Sequence, residues 1–317
     1  MVKIAFWDNC LGERGTITAL YDYAFFNKTI LANESIVLYN PNNPHNDLEV
    51  IEKFKKEFSI YGISNNDDLD PLLESTGCEI VYIIKSGDSD DGRISKTKKS
   101  VIHCVFTCDT PHGDVYASVS PVVKGNHGQY PVVPHIVYLP ERNRNLRTEL
   151  NIPENAVVFG RHGGYEQFNI EYVKHIVFLV TKNFPNIYFL FVNTAPFCEP
   201  MPNIIHLGKI IRLEDKSEFI NTCDAMLWAR SDGETFGLSI AEFSVLNKPV
   251  LATNIGDSAH VYYLGDKGVW YNESNLYDIL TQFKKEDYEN RDWNAYRDYS
   301  PEKVMDIFKR VFIDDLL

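Results

Sequence analysis

The chain has 317 residues, which is enough for two domains of about 150 residues each. Hydrophobic residues make up 44% of the chain and aromatic residues 13%, so the composition supports packed cores and argues against disorder. A formal net charge of -13 excludes an extended surface for nucleic acid or anionic membrane, because those partners require clustered Lys and Arg.

The first half of the chain alternates apolar runs with helix-like segments. The apolar runs predict strands at Lys3–Trp7, Ser35–Tyr39, Ile60–Ile63, Glu79–Lys85, Val101–Phe106, Val115–Val119 and His135–Leu139. Helices are predicted near Thr16–Asn27, Leu48–Phe58 and Asp68–Glu74. Strands that alternate with helices indicate an α/β domain with a parallel sheet.

The second half repeats this alternation after a polar linker at Pro140–Asn145 and a short predicted helix at Leu146–Leu150. Strands are predicted at Val157–Gly160, Tyr188–Asn193, Ile204–Leu207, Ala225–Trp228 and Pro249–Thr253, with helices near Tyr172–Asn183 and Leu213–Thr222. This order predicts a second doubly wound domain. The segment Pro301–Leu316 has apolar residues on one helical face and is predicted to be a terminal helix.

The cysteines and the first residues of the chain indicate the cellular compartment in which the protein is expected. None of the six cysteines forms a C-x-x-C pair, which argues against structural zinc. The start, MVKIAFWDN, is typical of a first strand, and no stretch approaches the roughly 18 apolar residues of a spanning helix. We therefore expect a cytoplasmic protein with reduced thiols and no transmembrane segment.

Two carboxylates, Glu234 and Glu242, lie between the predicted strands Ala225–Trp228 and Pro249–Thr253. The loop after the first of these strands belongs at the carboxyl edge of a parallel sheet, where such sheets bind ligands. Gly233 and Gly237 permit a close backbone approach to a ligand, and a helix starting near Leu238 presents free N–H groups to an anion. The alternative is that Glu234 is a solvated loop charge and Glu242 compensates the helix dipole.

This segment resembles the E-x7-E signature of the GT4-like group of retaining glycosyltransferases. The matching residues are Ser231, Glu234, Gly237, Leu238, Glu242, Pro249 and Val250. The resemblance implies a GT-B fold, in which two Rossmann-like, doubly wound parallel-sheet domains face a cleft. It also implies that Glu242 binds the ribose of a nucleotide sugar and that Glu234 faces the donor sugar. Within that group, the runs GRHGG, RGT and YDYAFFN most resemble glycosyltransferases of large DNA viruses and of some bacterial surface-polysaccharide clusters.

The resemblance assigns residues 1–139 to an acceptor-side domain and residues 146–300 to a nucleotide-sugar-binding domain. The helix 301–317 is expected to pack back onto the first domain. In the second domain, Arg161 matches a diphosphate-binding arginine, whereas Glu166 occupies the position of the family's lysine. In place of that lysine, the diphosphate charge can be met by the backbone amides of Gly163 and Gly164, or by Lys209 and Arg212. The backbone of Gly208–Ile210, including Ile210, is expected to lie against the nucleotide base.

The first domain supplies further candidates under the same resemblance. The loop residues Gly12, Arg14 and Gly15 are expected to face the cleft, although Thr16 can equally be a helix cap and the spacing is not G-x-G-x-x-G. His103 and His112 compete for the role of a histidine that approaches the donor sugar, and each is otherwise a structural residue. Asp109 is a lesser candidate for accepting a proton from the acceptor.

The resulting hypothesis is transfer of a sugar from a nucleoside diphosphate sugar to a glycan or glycolipid hydroxyl, with retention. No cofactor or metal is expected, because no D-x-D motif lies in a suitable turn and Asp88, Asp90 and Asp91 fall in a polar, solvent-facing loop. The expected partners are the donor and the acceptor, with no nucleic acid. The alternatives are a non-hydrolysing nucleotide-sugar epimerase and a nucleotide-sugar-binding protein without turnover.

Overall fold

The computed structural model describes residues 1–89, 91–314 and 316, so Asp90, Asp315 and Leu317 lie outside the described residues. The chain forms two compact units. The N-terminal unit comprises Met1–Ile136 together with Asp298–Leu317, and the C-terminal unit comprises Val137–Arg297. In the part of the chain that the structure describes, no helix is long and apolar enough to cross a membrane.

The N-terminal unit contains a six-stranded sheet in its described residues, with the order β3-β2-β1-β4-β5-β6. The strands are β1 (Lys3–Trp7), β2 (Glu34–Tyr39), β3 (Ser59–Gly62), β4 (Ile80–Lys85), β5 (Lys99–Cys104) and β6 (Val115–Ser118). The helices are α1 (Gly15–Thr29), α2 (Leu48–Glu57) and α3 (Leu69–Thr76). The pairings are parallel, and β4 is buried along its whole length, as its continuous apolar sequence IVYIIK predicts for a central strand.

The C-terminal unit contains a second six-stranded parallel sheet in its described residues, with the order β14-β12-β10-β7-β8-β9. Its strands are β7 (Val157–Arg161), β8 (Ile187–Val192), β9 (Ile204–Leu207), β10 (Ala225–Leu227), β12 (Val250–Ala252) and β14 (Gly268–Trp270). A separate parallel pair consists of β11 (Gly233–Glu234) and β13 (Asp257–Ser258). The helices are α4 (Glu171–Asn183), α5 (Leu213–Thr222), α6 (Leu238–Val245), α7 (Ala259–Leu264), α8 (Leu276–Thr281) and α9 (Glu286–Glu289).

The last helix, α10 (Pro301–Lys309), continues into a π-helical turn at Arg310–Asp314 and belongs to the N-terminal unit. Its Phe308 ring lies 5.3 Å from the ring of Tyr23 and 5.5 Å from the ring of Tyr82. Phe308 is fully buried, so the apolar face seen in the sequence contributes to the core of this unit.

Two local predictions are wrong. His135–Leu139 forms no strand, because Pro131 and Pro134 cannot donate ladder hydrogen bonds and the segment packs against α1 through Tyr23, whose hydroxyl donates to the Pro134 carbonyl. Leu146–Leu150 forms a single turn in which the Leu150 N–H donates to the Leu146 carbonyl, and not a helix. The short strands β11, β13 and β14 were not predicted.

Candidate functional site

The segment between β10 and α6 carries Glu234 and Glu242. Gly237 has φ of +88° and stands immediately before Leu238, the first residue of α6, which has no side-chain cap. The first-turn amides of α6 are therefore not covered by a capping side chain. Gly233, with φ of +75°, approaches the backbone of Asp257 so closely that a Cβ would lie 2.2 Å from the Asp257 nitrogen. This glycine serves the β11–β13 pairing and not a close approach to a ligand.

Glu242 lies in α6 with only 4% of its surface exposed, and two side chains from other elements hold its carboxylate. The Lys216 Nζ, from α5, donates to Glu242 Oε1 at 2.7 Å. The His162 Nε2, which follows β7, lies 2.9 Å from Glu242 Oε2, although its N–H does not point along this contact. Glu242 is therefore a buried ion-pair partner and not a dipole-compensating surface charge.

The protonation states of this group follow from its surroundings. Burial opposes ionisation of Glu242, but Lys216 and His162 outweigh it and lower the pKa of the carboxyl to about 2. Burial lowers the pKa of His162, although Glu242 opposes that shift. The His162 ring stacks on Phe243 at 5.9 Å, which fixes its orientation. Near neutral pH the arrangement is therefore an ionised Glu242, a charged Lys216 and a neutral imidazole.

Glu234 is largely buried, with 14% of its side chain exposed. Trp228 Nε1 donates to its Oε1 at 2.9 Å, and Arg230 Nη1 donates to its Oε2 at 3.3 Å. Burial raises the pKa of Glu234, whereas Arg230, Trp228 and Arg161 act in the opposite direction. The carboxylate is held in one orientation and is not a solvated loop charge.

Arg161 is the last residue of β7 and is 5% exposed. Its guanidinium donates to neutral oxygens, namely the Gly164 carbonyl at 2.8 Å, the Asn193 carbonyl at 3.3 Å and the Thr194 hydroxyl. Burial lowers the pKa of Arg161 to about 10, while Glu234 opposes this shift, so the side chain stays charged at neutral pH. The turn thus presents a buried cation whose hydrogen-bond acceptors carry no charge.

The glycines after Arg161 support this turn. Gly163 has φ of +153°, and a Cβ there would lie 2.9 Å from an Arg161 nitrogen. The Gly164 amide donates to Gln167 Oε1 at 3.2 Å, so it is already hydrogen-bonded within the turn. Glu166, which replaces the family's lysine, is exposed.

A cavity of about 340 Å³ lies beside the residues that follow β9. It is lined by Arg144, Leu146, Glu149, Leu207, Gly208, Lys209, Ile210, Asp215 and Glu218. The cavity includes the backbone segment Gly208–Ile210, and Lys209 is exposed at its edge. Arg212 is the N-cap residue of α5 and lies near Glu214 and Asp215, at 3.7 and 3.9 Å.

In the N-terminal unit, the loop after β1 contains Gly12, Arg14 and Gly15. Gly12 is buried against the His45 carbonyl oxygen, which a Cβ would meet at 2.2 Å. Arg14 and Gly15 are exposed at the start of α1. Thr16 is not the helix cap, because its hydroxyl hydrogen-bonds Asp8 instead.

The two candidate histidines of this unit lie in different environments. His103 is completely buried in β5, where its Nδ1 lies 2.6 Å from the Tyr82 hydroxyl and its Nε2 lies 2.9 Å from the Val133 carbonyl. Burial lowers its pKa to about 3. The structure therefore corrects the candidacy of His103: a core residue with both ring nitrogens engaged cannot reach a sugar.

His112 and Asp109 belong to the loop between β5 and β6. His112 is half-buried, with its Nδ1 2.7 Å from the Thr110 carbonyl. Asp114, two residues later, donates its N–H to the Ser100 carbonyl near the start of β5, so this part of the loop runs toward the amino ends of the strands. Asp109 is exposed and accepts a hydrogen bond from the Thr107 hydroxyl.

The structure thus brings Arg161, Glu234 and Glu242 together at the carboxyl side of the second sheet, and it adds side chains that the sequence analysis missed. The additions are His162, Lys216, Trp228 and Arg230. His162 is adjacent to Arg161 in the GRHGG run, but no local pattern points to Lys216. The described residues contain no group of three or more His, Cys, Asp or Glu side chains that could hold a metal.

The whole chain resembles solved structures at low sequence identity. A glycosyltransferase from Rickettsia africae matches with a TM-score of 0.70 and 13% identity, over 99% of both chains. Anabaena HepE in complex with UDP-glucose matches with a TM-score of 0.65 and 16% identity, over 98% of this chain and 96% of that one. WaaG, a glycosyltransferase involved in lipopolysaccharide biosynthesis, matches with a TM-score of 0.64 and 11% identity, over 99% of this chain and 100% of that one.

No protein-family profile matches the sequence, and no curated protein matches it. At these identities the structural likeness establishes the fold. The chain has the α/β fold of GT-B glycosyltransferases, with two parallel six-stranded sheets in its described residues, and the predicted fold class is confirmed.

Proposed function

We propose that the protein is a GT4-like glycosyltransferase that transfers a sugar from a nucleoside diphosphate sugar to a hydroxyl of a glycan or glycolipid. The observation that carries this proposal is the buried Glu242 carboxylate, which Lys216 and His162 keep ionised beside the cationic Arg161. A carboxylate is rarely buried in the charged form unless its partners are arranged for it. The fold shared with HepE, which was solved with UDP-glucose, supports a donor of this class.

Donor binding follows from the chemistry of these groups. A carboxylate has about four lone-pair positions. Lys216 Nζ occupies one of them, so Glu242 retains acceptor capacity for the two adjacent hydroxyls of a ribose. The diphosphate would be met by Arg161 and by the first-turn amides of α6, which have no capping side chain. The cavity beside Gly208–Ile210 is of suitable size for the base.

The local charge favours an anionic ligand. Lys216 pairs with Glu242. Arg230 lies near both Glu234 and Asp232. The hydrogen-bond acceptors of the buried Arg161 are neutral oxygens, so its charge is available to an anionic ligand. As the bond between sugar and diphosphate breaks, negative charge grows on the leaving group, and fixed cations and amides stabilise that charge without reorganising. Glu234 would face the sugar, held in place by Trp228 and Arg230. We propose that the transfer proceeds with retention and without a metal.

The proposal separates the roles of the two carboxylates. Glu242 contacts the ribose both before and during the reaction, so Glu242→Gln should raise the donor KM by at least about tenfold, from the loss of a charged hydrogen bond. Glu234 acts where charge develops, so Glu234→Gln should lower kcat by on the order of 100-fold with little change in donor KM. The exposed Glu171→Gln serves as a matched control and should change neither constant.

The experiment begins with thermal-shift screening of nucleotides and nucleotide sugars, because a ligand of the folded state raises the apparent Tm by mass action. Steady-state kinetics and product analysis with the best donor then follow. A product in which the sugar is only epimerised on its nucleotide would identify an epimerase, and binding without turnover would identify a binding protein. Wild-type kinetics in both Gln variants would remove Glu234 and Glu242 from the site.

A further inference from the structure

The carboxyl ends of β1 and β4 form a second place in the fold that is suited to a ligand. These strands are neighbours in the first sheet, with Trp7 opposite Ile83. Strand β1 leads through α1 to β2 on one side, whereas β4 leads to β5 on the other. Such a reversal of strand order opens a crevice at the carboxyl ends, where doubly wound sheets bind ligands.

Four buried side chains, Trp7, Asp8, Lys85 and Arg93, gather at this point around the exposed Asp91, and we name these five residues the switch-point cluster. Asp91 accepts from Lys85 Nζ at 2.5 Å and from Arg93 Nε at 2.7 Å. The guanidinium carbon of Arg93 lies 5.6 Å from the centre of the Trp7 ring. Asp91 is exposed, as the sequence predicts, but its carboxylate is also the shared anion of two buried cations.

Two hydrogen-bond donors of the cluster are left without an acceptor. Trp7 Nε1 and Arg93 Nη1 are buried and have no hydrogen-bond partner among residues 1–89, 91–314 and 316. Trp7 is 2% exposed and Arg93 is 8% exposed, so bulk water does not solvate these groups. Both groups can only donate, and burying a donor without an acceptor is unfavourable. What is missing at this position is a group that supplies oxygen acceptors.

The charges decide which kind of acceptor group fits. Lys85 and Arg93 share the single carboxylate of Asp91, and Arg14 is close enough to act on Asp8. The Asp8 carboxylate already accepts hydrogen bonds from the Asn9 N–H and the Thr16 hydroxyl. Burial raises the pKa of Asp8 to about 6, while Arg93 opposes that shift. Among the described side chains, Lys85, Arg93 and the neighbouring Arg14 are three cations. They outnumber the two carboxylates of Asp8 and Asp91, which favours an anion over a neutral hydroxyl.

We propose that the switch-point cluster binds a carboxylate or phosphate group of an anionic acceptor, whose oxygens accept from Trp7 Nε1 and Arg93 Nη1. This inference rests on the proposed sugar transfer and narrows its acceptor to molecules that carry an oxyanion. The guanidinium supplies charge and a directional donor, and the indole supplies a second, neutral donor.

The test uses the indole N–H resonances of the full chain in ¹H–¹⁵N NMR spectra. The chain has four tryptophans, and the resonance missing from Trp7→Phe identifies Trp7. Glucuronate and glucose 6-phosphate, at millimolar concentration, should each be tested against glucose. At least one of the two anions should move the Trp7 resonance downfield in a saturable manner, whereas glucose should not. A response to glucuronate only, or to glucose 6-phosphate only, identifies the carboxylate or the phosphate as the group bound.

Variants give a second readout. Trp7→Phe keeps an aromatic ring and removes the donor, so it should weaken anion binding about tenfold. Arg93→Gln should abolish binding, and Arg93→Lys should restore only part of it, because lysine lacks the planar fork. Arg310→Gln, an exposed substitution in the same unit, is the control and should bind as wild type.

The inference is overturned if neither anion moves the Trp7 resonance, if glucose moves it equally, or if Trp7→Phe binds the anion as wild type does. The donor site is read independently in the same spectra, because Trp228 Nε1 donates to Glu234. If the donor found in the thermal-shift screen leaves the Trp228 resonance unmoved, the proposed function is at fault and not the assignment of the cluster.

Discussion

Replacing Lys216 with methionine tests whether the ion pair with Glu242 organises the donor site. The substitution keeps a flexible side chain of similar length and removes only the charge. Glu242 would then be a buried carboxylate with a neutral imidazole as its remaining close partner. We expect Lys216→Met to destabilise the protein at neutral pH and to raise the pKa of Glu242.

The magnitude follows from the geometry. Lys216 Nζ and Glu242 Oε1 are 2.7 Å apart, and two unit charges at that distance attract by about 6 kcal/mol at an effective dielectric constant of about 20. Removing Lys216 also removes its own desolvation cost, so the net loss is smaller. Removing one partner of a buried ion pair typically lowers the free energy of unfolding by about 3 to 5 kcal/mol. In a unit of this size, that change lowers Tm by about 6 to 20 °C.

The assay is thermal and denaturant unfolding of wild type and variant at several pH values. The folded-state pKa of Glu242, about 2, lies below its ordinary 4.5, so the unfolded chain takes up this proton first as pH falls. The stabilisation is complete above about pH 4.5 and is lost as pH falls toward 2. The stability difference between wild type and Lys216→Met should therefore shrink over that range.

Lys174→Met is the matched control. Lys174 Nζ lies 2.7 Å from Glu171 Oε1, the same separation as in the buried pair, but the Glu171 side chain is 82% exposed. Its loss should cost less than about 1 kcal/mol, because water screens an exposed pair. The reasoning would be refuted if Lys216→Met and Lys174→Met lowered the free energy of unfolding equally. It would also be refuted if the stability difference between wild type and Lys216→Met were the same at pH 7 and at pH 3. The double variant Lys216→Met/Glu242→Gln should recover part of the lost stability.

Two further predictions concern the proposed donor site, and a third concerns the β11–β13 pairing. A nucleoside diphosphate should raise Tm equally with and without chelator, and a shift that needs added magnesium would contradict the metal-free proposal. Lys209→Ala should weaken diphosphate binding and leave nucleoside binding nearly unchanged, since only a phosphate contact is lost; equal weakening of both would exclude that role. Gly233→Ala should destabilise the protein by about 1 to 3 kcal/mol or more, because φ is +75° and the new Cβ meets the Asp257 backbone at 2.2 Å. Its control is Gly208→Ala, where a Cβ meets nothing within 4 Å, and unfolding curves that coincide for both variants would contradict the strain argument.

Local sequence pattern was sufficient to predict the helices beside the proposed donor site. The helices Glu171–Asn183 and Leu213–Thr222 were predicted to within a residue, since each has an apolar face of helical period between strand-like runs. Glu234 and Glu242 are predicted from glycines and carboxylates that follow a buried strand at the sheet edge where ligands bind. Their separate roles, and the choice of Arg161, come from the resemblance to GT4-like glycosyltransferases.

Tertiary structure alone decided which groups meet. Lys216 and His162 reach Glu242 from α5 and from the end of β7, and sheet order, not sequence spacing, brings β7 beside β10. His103 is corrected, and Asp91 gains two partners, for the same reason: a sequence shows that a side chain is polar, but not whether the fold buries it or what it faces. Periodicity depends on neighbours along the chain, whereas burial and ion pairing depend on residues distant in sequence that only the packed sheets bring into contact.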